Sequence, residues 1–235
     1  MQIYVGTSGY SYKEWKGPFY PPDLPGKDML RYYSSQLPAV EINNTFYRMP
    51  AEGLLESWGQ QVPPDFRFVL KAPRKITHTK PLKDKDDEVG YLLRTAATLG
   101  DRLGAVLFQL PPYLRRDPEL LINFLELLPS GTRSVFEFRH RSWFDETIYD
   151  MLRKKGCTLC CADGEDEALT RLVATSGWGY LRLRRPGYSE TDLSEWARRI
   201  KSQDWQTVYV FFKHEEAGAG PKLASHFLEL ASQVG

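Results

Sequence analysis

Eight short runs rich in β-branched and aromatic residues recur along this chain, and stretches of helical periodicity separate them. The runs are Ile3 to Gly6, Ala39 to Asn43, Phe66 to Lys71, Ala105 to Gln109, Ser134 to Arg139, Thr158 to Asp163, Gly179 to Arg182 and Thr207 to Phe212. Strict alternation of strand and helix implies parallel strands, because each connection must cross back over the sheet. Eight such units in 235 residues fit an α/β fold of the smallest closed kind, an eight-stranded parallel β/α (TIM) barrel, as a single domain spanning 1–235. An open doubly wound sheet is the competing topology, but the glycine fingerprint for dinucleotides is missing after the first run.

The helices carry their own punctuation. Asp117 with Pro118 reads as a cap and first-turn proline for a helix running to Leu128. Asp145 opens a helix to Lys155 that Gly156 stops, and Gly100 closes one over Val89 to Leu99. Ser189 or Thr191 opens the segment holding Leu193, Trp196, Ala197 and Ile200, Pro221 starts the last helix, and Glu52 to Gln60 is the faintest pattern. The irregular stretch Thr7 to Gly26, rich in aromatics and proline, is expected to be a lid.

A composition of 42% hydrophobic and 26% charged residues is that of a globular chain with a full core. Lys and Arg (31) balance Asp and Glu (30), so global charge points neither to nucleic acid nor to an acidic membrane. No run of about 18 apolar residues and no basic-then-apolar leader occurs, so no membrane partner and a cytoplasmic location are expected. Cys157, Cys160 and Cys161 lack a second ligand pair for zinc. On a strand, Cys157 and Cys161 point one way and Cys160 the other, as core thiols do.

In such a barrel the carboxyl ends of the strands and the loops after them form the functional face. Glu41 and Asn43 sit opposite Val40 and Ile42, Glu137 and Arg139 opposite Phe136 and Phe138, and Arg182 and Arg184 opposite Leu181 and Leu183. Lys71, Gln109, Asp163 and Lys213 end other strands or follow them. Several ionisable groups therefore converge on one cation-rich mouth, where burial shifts pKa values. A ring of ion pairs that merely plugs the barrel is the bland alternative. Gly218 and Gly220, ahead of the helix expected at Pro221, could offer free N–H groups to a phosphate near Arg184, Arg185, Lys213 and Lys222.

The segments GTSGYSYKEWKGPFYP, VEINNTFYRMP, VLKAPRKITH, LFQLPP, FEFRHRSW and CCADG occur in this order. Together they resemble the domain-of-unknown-function family 72, also called YecE-like, across essentially the whole chain. The resemblance implies an eight-stranded β/α barrel and no particular reaction. Two places depart from the family's pattern, RLRRPGY where the seventh strand ends and FFKHEE where the eighth does, and on that side of the mouth the chain looks more cationic than the resemblance implies.

The first functional expectation is an enzyme for a phosphorylated or otherwise anionic small molecule, a hydrolase or lyase. Glu41, Lys71, Glu137 and Asp163 are its candidate catalytic groups, with Glu137 a base and Lys71 alternatively a Schiff-base amine. Asn43, Tyr12, Trp15, Tyr47, Gln109, Arg139, Arg182, Arg184 and Lys213 are its candidate substrate contacts. The second is a nucleic-acid binder or phosphodiester processor, using Arg74, Lys75, Lys80, Lys83 and Lys85 with the aromatics Tyr10, Tyr12, Trp15, Phe19 and Tyr20. No cofactor is expected; a divalent metal held by His78, His140 or His214 with the carboxylates stays open, although no HxH or HExxH pair is present. A glycosidase fits less well, since a cationic mouth does not favour a neutral sugar.

Overall fold

Alternate residues of each strand bury themselves in two separate cores, and this division builds the molecule. The computed structural model of the chain describes residues 1–48, 50–164 and 170–233; Met49, in the VEINNTFYRMP motif, lies outside them. The strands are β1 (Gln2–Ser8), β2 (Ala39–Ile42), β3 (Arg67–Lys71), β4 (Leu103–Gln109), β5 (Ser134–Glu137), β6 (Thr158–Leu159), β7 (Cys161–Asp163), β8 (Trp178–Leu183) and β9 (Thr207–Phe212). They form one sheet in the order β6-β5-β4-β3-β2-β1-β9-β8-β7, with every pairing parallel.

The two ends of that order, β6 and β7, are consecutive in the chain with only Cys160 between them, so the sheet is a nearly closed barrel. Among the described residues it has nine strands where eight were expected, because the run Thr158 to Asp163 changes partner halfway. Its first part pairs with β5 (Val135↔Thr158) and its second with β8 (Cys161↔Leu181), and the Cys160 N–H donates to the Phe136 carbonyl at 2.8 Å. Beside the break the Thr175 hydroxyl accepts from the Leu159 N–H (2.9 Å) and donates to the Cys157 carbonyl (2.8 Å), standing in for the missing ladder.

Inside the barrel lie Tyr4, Val69, Leu107, Val135, Cys160, Tyr180, Tyr209 and Phe211; outside, Val5, Val40, Phe68, Phe108, Phe136, Cys161, Leu181 and Phe212 meet the helices. Cys157 and Cys161 on the outer side and Cys160 on the inner follow the period of two, and all three are buried free thiols. Tyr4 and Tyr209 stack in the interior at 5.2 Å. Gly104 leaves room for them, since a Cβ there would stand 3.0 Å from the Tyr209 ring.

The helices are α1 (Met29–Gln36), α2 (Glu52–Gln61), α3 (Arg74–Thr77), α4 (Asp86–Ala96), α5 (Pro118–Glu126), α6 (Glu146–Lys155), α7 (Glu190–Lys201) and α8 (Ala219–Gln233). Their caps follow the sequence: Asp117 accepts from the Leu120 N–H (3.0 Å) and Asp145 from the Thr147 N–H (3.0 Å), and Gly156 ends α6 at φ 69°. Ser189 and Asp192 form a reciprocal capping box on α7. The last helix begins at Ala219, two residues before the proline expected to start it. Among the described residues no helix is long and apolar enough to cross a membrane.

Candidate functional site

The inward-facing ends of β1, β2, β3, β5 and β8 carry polar side chains, so the interior changes from aromatic to ionic towards the carboxyl ends of the strands. Glu41, Glu137 and Arg182 are 0%, 1% and 2% exposed. Arg182 Nη2 donates to Glu41 Oε1 at 2.8 Å and Nη1 donates to Glu137 Oε2 at 2.6 Å, so one guanidinium bridges two carboxylates. Glu41 also accepts from the hydroxyls of Ser8 (2.7 Å) and Tyr180 (2.5 Å) and from Asn43 Nδ2 (3.3 Å), while Gln109 Nε2 donates to Glu137 Oε2 at 2.8 Å.

Burial by itself would raise both carboxyl pKa values. Arg182 more than offsets it in each: with Arg184 and Arg139 it pulls Glu137 down to about 2, and with Tyr180, Ser8 and Lys71 it lowers Glu41. Both are therefore carboxylates at neutral pH. Among the described residues Glu137 Oε1 has no hydrogen-bond donor although it is buried; Arg139 Nε and Arg184 Nη2 each stand 3.7 Å away, and both arginines are partly exposed.

Lys71 ends β3 with its side chain inward. Its Nζ stands 4.3 Å above the Phe46 ring, and Phe46 in turn meets His78 edge-on at 4.9 Å. Burial, then the charge of Arg182, bring the Lys71 pKa down to about 8, against the smaller opposing pull of Glu41 and Glu137. Among the described residues, four cations (Lys71, Arg139, Arg182, Arg184) thus surround two carboxylates (Glu41, Glu137), an excess of two positive charges when Lys71 is protonated.

Of the residues singled out in the sequence, Glu41, Asn43, Lys71, Gln109, Glu137, Arg139, Arg182 and Arg184 come together. Asp163 does not. It shares the parity of Cys161, faces outward, and accepts from the Tyr188 hydroxyl (2.8 Å) and Trp196 Nε1 (3.2 Å) of the β8–α7 layer. Trp15 is 1% exposed and its indole N–H donates to the Glu215 carbonyl at 2.8 Å, so it offers no face for stacking a ligand. The expected lid is an aromatic pack pinned to the loop after β9, in which Tyr20 is also buried. Tyr12 donates to the Ser8 carbonyl (2.7 Å) and with Asn43 lines a hollow of about 80 Å³ beside the ends of β1 and β2. Tyr47 is 76% exposed and Lys213 is also exposed.

The glycine-rich phosphate loop is corrected as well. Gly220 lies within α8, its N–H already donates to the His214 carbonyl at 3.1 Å, and a Cβ there would come within 2.7 Å of that oxygen. Glycine serves close packing at this point.

Ser8, Tyr180 and Phe46 belong to the site and escaped the sequence. Tyr180 lies two residues before Arg182, so the period of two could have found it. Among the described residues no three or more His, Cys, Asp or Glu side chains are arranged to hold a metal ion. His78 Nδ1 pairs with Thr77 Oγ1 and His140 Nδ1 with Ser142 Oγ, while His214 Nε2 donates to the Arg185 carbonyl.

The amino ends of the strands hold a larger hollow of about 760 Å³, lined in part by Arg67 and Arg133. Those arginines rest on aromatic rings, Arg67 5.2 Å from the Tyr4 centroid and Arg133 5.9 Å from that of Trp178, and Asp65 and Asp101 share the rim. The buried ionised groups with shifted pKa values are at the opposite end, which makes that end the stronger candidate.

Fold and site together define a parallel β/α barrel with an ionised, cation-rich cluster at the carboxyl ends of its strands. The chain belongs to the family described as "Protein of unknown function DUF72", whose model matches residues 4–234. It is similar to the UPF0759 protein YunF of Bacillus subtilis, at 24% identity over 97% of this chain and 94% of that one. It is also similar to the UPF0759 protein YecE of Escherichia coli K12, at 30% identity over 66% of this chain and 56% of that one. The crystal structure of a DUF72 family protein from Thermotoga maritima superposes with a TM-score of 0.83 at 28% identity, covering 99% of this chain and all of that one.

Proposed function

We propose that the carboxyl-end mouth binds a phosphorylated or other anionic small molecule and acts on it as an enzyme. The observation that carries this reading is the excess of cations over carboxylates, with Arg139 and Arg184 partly exposed beside a carboxylate oxygen that neither reaches within hydrogen-bond distance. Both guanidinium groups retain donors for an incoming oxyanion. Glu41 and Glu137 hold Arg182 in place, and a carboxyl at a pKa of about 2 is a weak base at neutral pH. Proton transfer falls instead to Lys71, whose pKa lies nearest the working range.

Isothermal titration with inorganic phosphate and ribose 5-phosphate tests the reading. Binding by the wild type is expected, with Arg139→Ala and Arg184→Ala each weakening it by about tenfold, the equivalent of about 1.4 kcal/mol. Ribose itself should not bind. Equal affinity in wild type and both variants would remove these arginines from the site.

A second reading, nucleic-acid binding, draws support from Tyr47 and Tyr113, which are 76% and 65% exposed. Exposed rings beside a cationic mouth suit base stacking with phosphate contacts. Binding of single-stranded oligonucleotides that falls with salt by a log–log slope of about −0.7 per phosphate contacted would put this reading first.

A further inference from the structure

The backbone of Lys71 is held in place, and among the described residues its amine has no hydrogen-bond or ion-pair partner within 4.0 Å. Its backbone carbonyl accepts from the Thr45 hydroxyl at 2.6 Å, and the next N–H, of Ala72, donates to the Leu107 carbonyl at 2.8 Å, so the end of β3 is clamped from both sides. Glu41 is committed to Arg182, Ser8, Tyr180 and Asn43, and Glu137 Oε2 to Arg182 and Gln109, while Glu137 Oε1 has Arg139 and Arg184 each 3.7 Å away. Among the described residues no carboxylate stands within 4.0 Å of Nζ, and its close neighbour is the face of Phe46. Lys71 is only partly buried, and its amine rests over an aromatic ring beneath a cationic rim rather than in an ion pair.

We infer that Lys71 is a nucleophile that forms an imine with an aldehyde or ketone carrying a carboxylate or phosphate, the anionic group being held by Arg139 and Arg184. This rests on the reading of the mouth as an anion site and names its substrate class. The neutral amine adds its lone pair to the carbonyl carbon as the carbonyl π pair moves to oxygen. A proton passes from nitrogen to that oxygen, and a second proton from solvent, replacing the one the ammonium released, lets the hydroxyl leave as water while the nitrogen lone pair forms the C=N bond. The resulting iminium carries the positive charge that Lys71 had when protonated, and Glu41 and Glu137 stabilise it as they stabilise the ammonium.

The groups that face Lys71 are Arg182, Glu41, Glu137 and Arg139, with His78 beyond Phe46. With a pKa of about 8, roughly half of the amine is free at pH 8, against well under about 1% for an ordinary lysine near 10.4. That difference makes the reaction selective.

The test is reductive trapping. The protein is incubated with glyoxylate and sodium cyanoborohydride at about pH 8, where hydride from the cyanoborohydride converts the imine to a secondary amine. Peptide mass spectrometry then locates the carboxymethyl group. Lys71 should be labelled at least about tenfold faster than any other lysine, and Arg139→Ala should slow labelling by glyoxylate about tenfold more than it slows labelling by propanal. Lys71→Arg should lose the label and keep the fold. Labelling spread over surface lysines without preference for Lys71 overturns the inference. Calorimetry with glyoxylate on Lys71→Met separates the two levels: binding without wild-type trapping removes the imine and keeps the anion site, and the absence of both removes the site.

Discussion

Replacing Arg182 with methionine is expected to destabilise the protein by about 3–5 kcal/mol at neutral pH, because it removes the guanidinium hydrogen-bonded to both buried carboxylates, Glu41 and Glu137. The pH dependence follows from the same groups. In the wild type the Glu137 pKa is about 2, below the value of about 4.3 in an unfolded chain. Its contribution to stability is therefore complete above the unfolded value and is lost as pH falls from there towards 2. In the variant, burial without Arg182 raises both carboxyl pKa values from their wild-type positions, so protonation on acidification costs the folded state less than in the wild type. The difference in urea midpoint between wild type and variant should thus be large at pH 7 and shrink towards pH 4. Adding Glu41→Gln and Glu137→Gln should recover a good part of the loss, since a neutral interior no longer needs the guanidinium. A gap that stays constant over this pH range would show that the carboxylates are not ionised in the wild type.

The second large effect lies at the junction of β1 and β2. There the Tyr33 hydroxyl accepts from the Thr7 N–H (2.8 Å) and donates to the Ala39 carbonyl (2.9 Å), a side chain doing the work of a ladder bond. Gly6 makes this close approach feasible. A Cβ at position 6 would fall 1.8 Å from the Ala39 carbonyl oxygen and 3.0 Å from the Tyr33 hydroxyl. Gly6→Ala must therefore push two core strands apart, at the upper end of overpacking costs, about 3 kcal/mol or more. Tyr33→Phe leaves the Thr7 N–H and the Ala39 carbonyl without this partner, at about 1–3 kcal/mol. The double variant should remain as unstable as Gly6→Ala or more so, because the nearer clash is with backbone. Rescue of Gly6→Ala by Tyr33→Phe, read as a recovered urea midpoint, would refute that geometry.

Much of the barrel was legible because a period of two and a small set of capping residues are local properties. Glu41, Glu137 and Arg182 were found inside by alternation alone, and Asp117, Asp145, Gly156 and Ser189 marked their helices. The break at Cys160 was not legible, since CTLCCAD keeps one local pattern while its partner changes from β5 to β8. Asp163 was placed in the mouth by its position at a strand end, although its spacing of two from Cys161 already put it on the outer face. Trp15 was taken for a ligand surface because aromatic residues fill cores and stack on ligands with the same side chains. The pairs Tyr180–Glu41 and Lys71–Phe46 join separate segments, and neither partner's own sequence signals the contact.

The central claim is that the cationic cluster at the carboxyl ends of the strands is an oxyanion site. A crystal soaked in tungstate, a tetrahedral oxyanion with a strong anomalous signal, tests it most directly. The account predicts an anomalous peak within contact of Arg139 and Arg184, on the side of Lys71, and its loss in crystals of Arg139→Ala/Arg184→Ala. Tungstate confined to Arg67 and Arg133 at the opposite end, with the mouth empty, would contradict it.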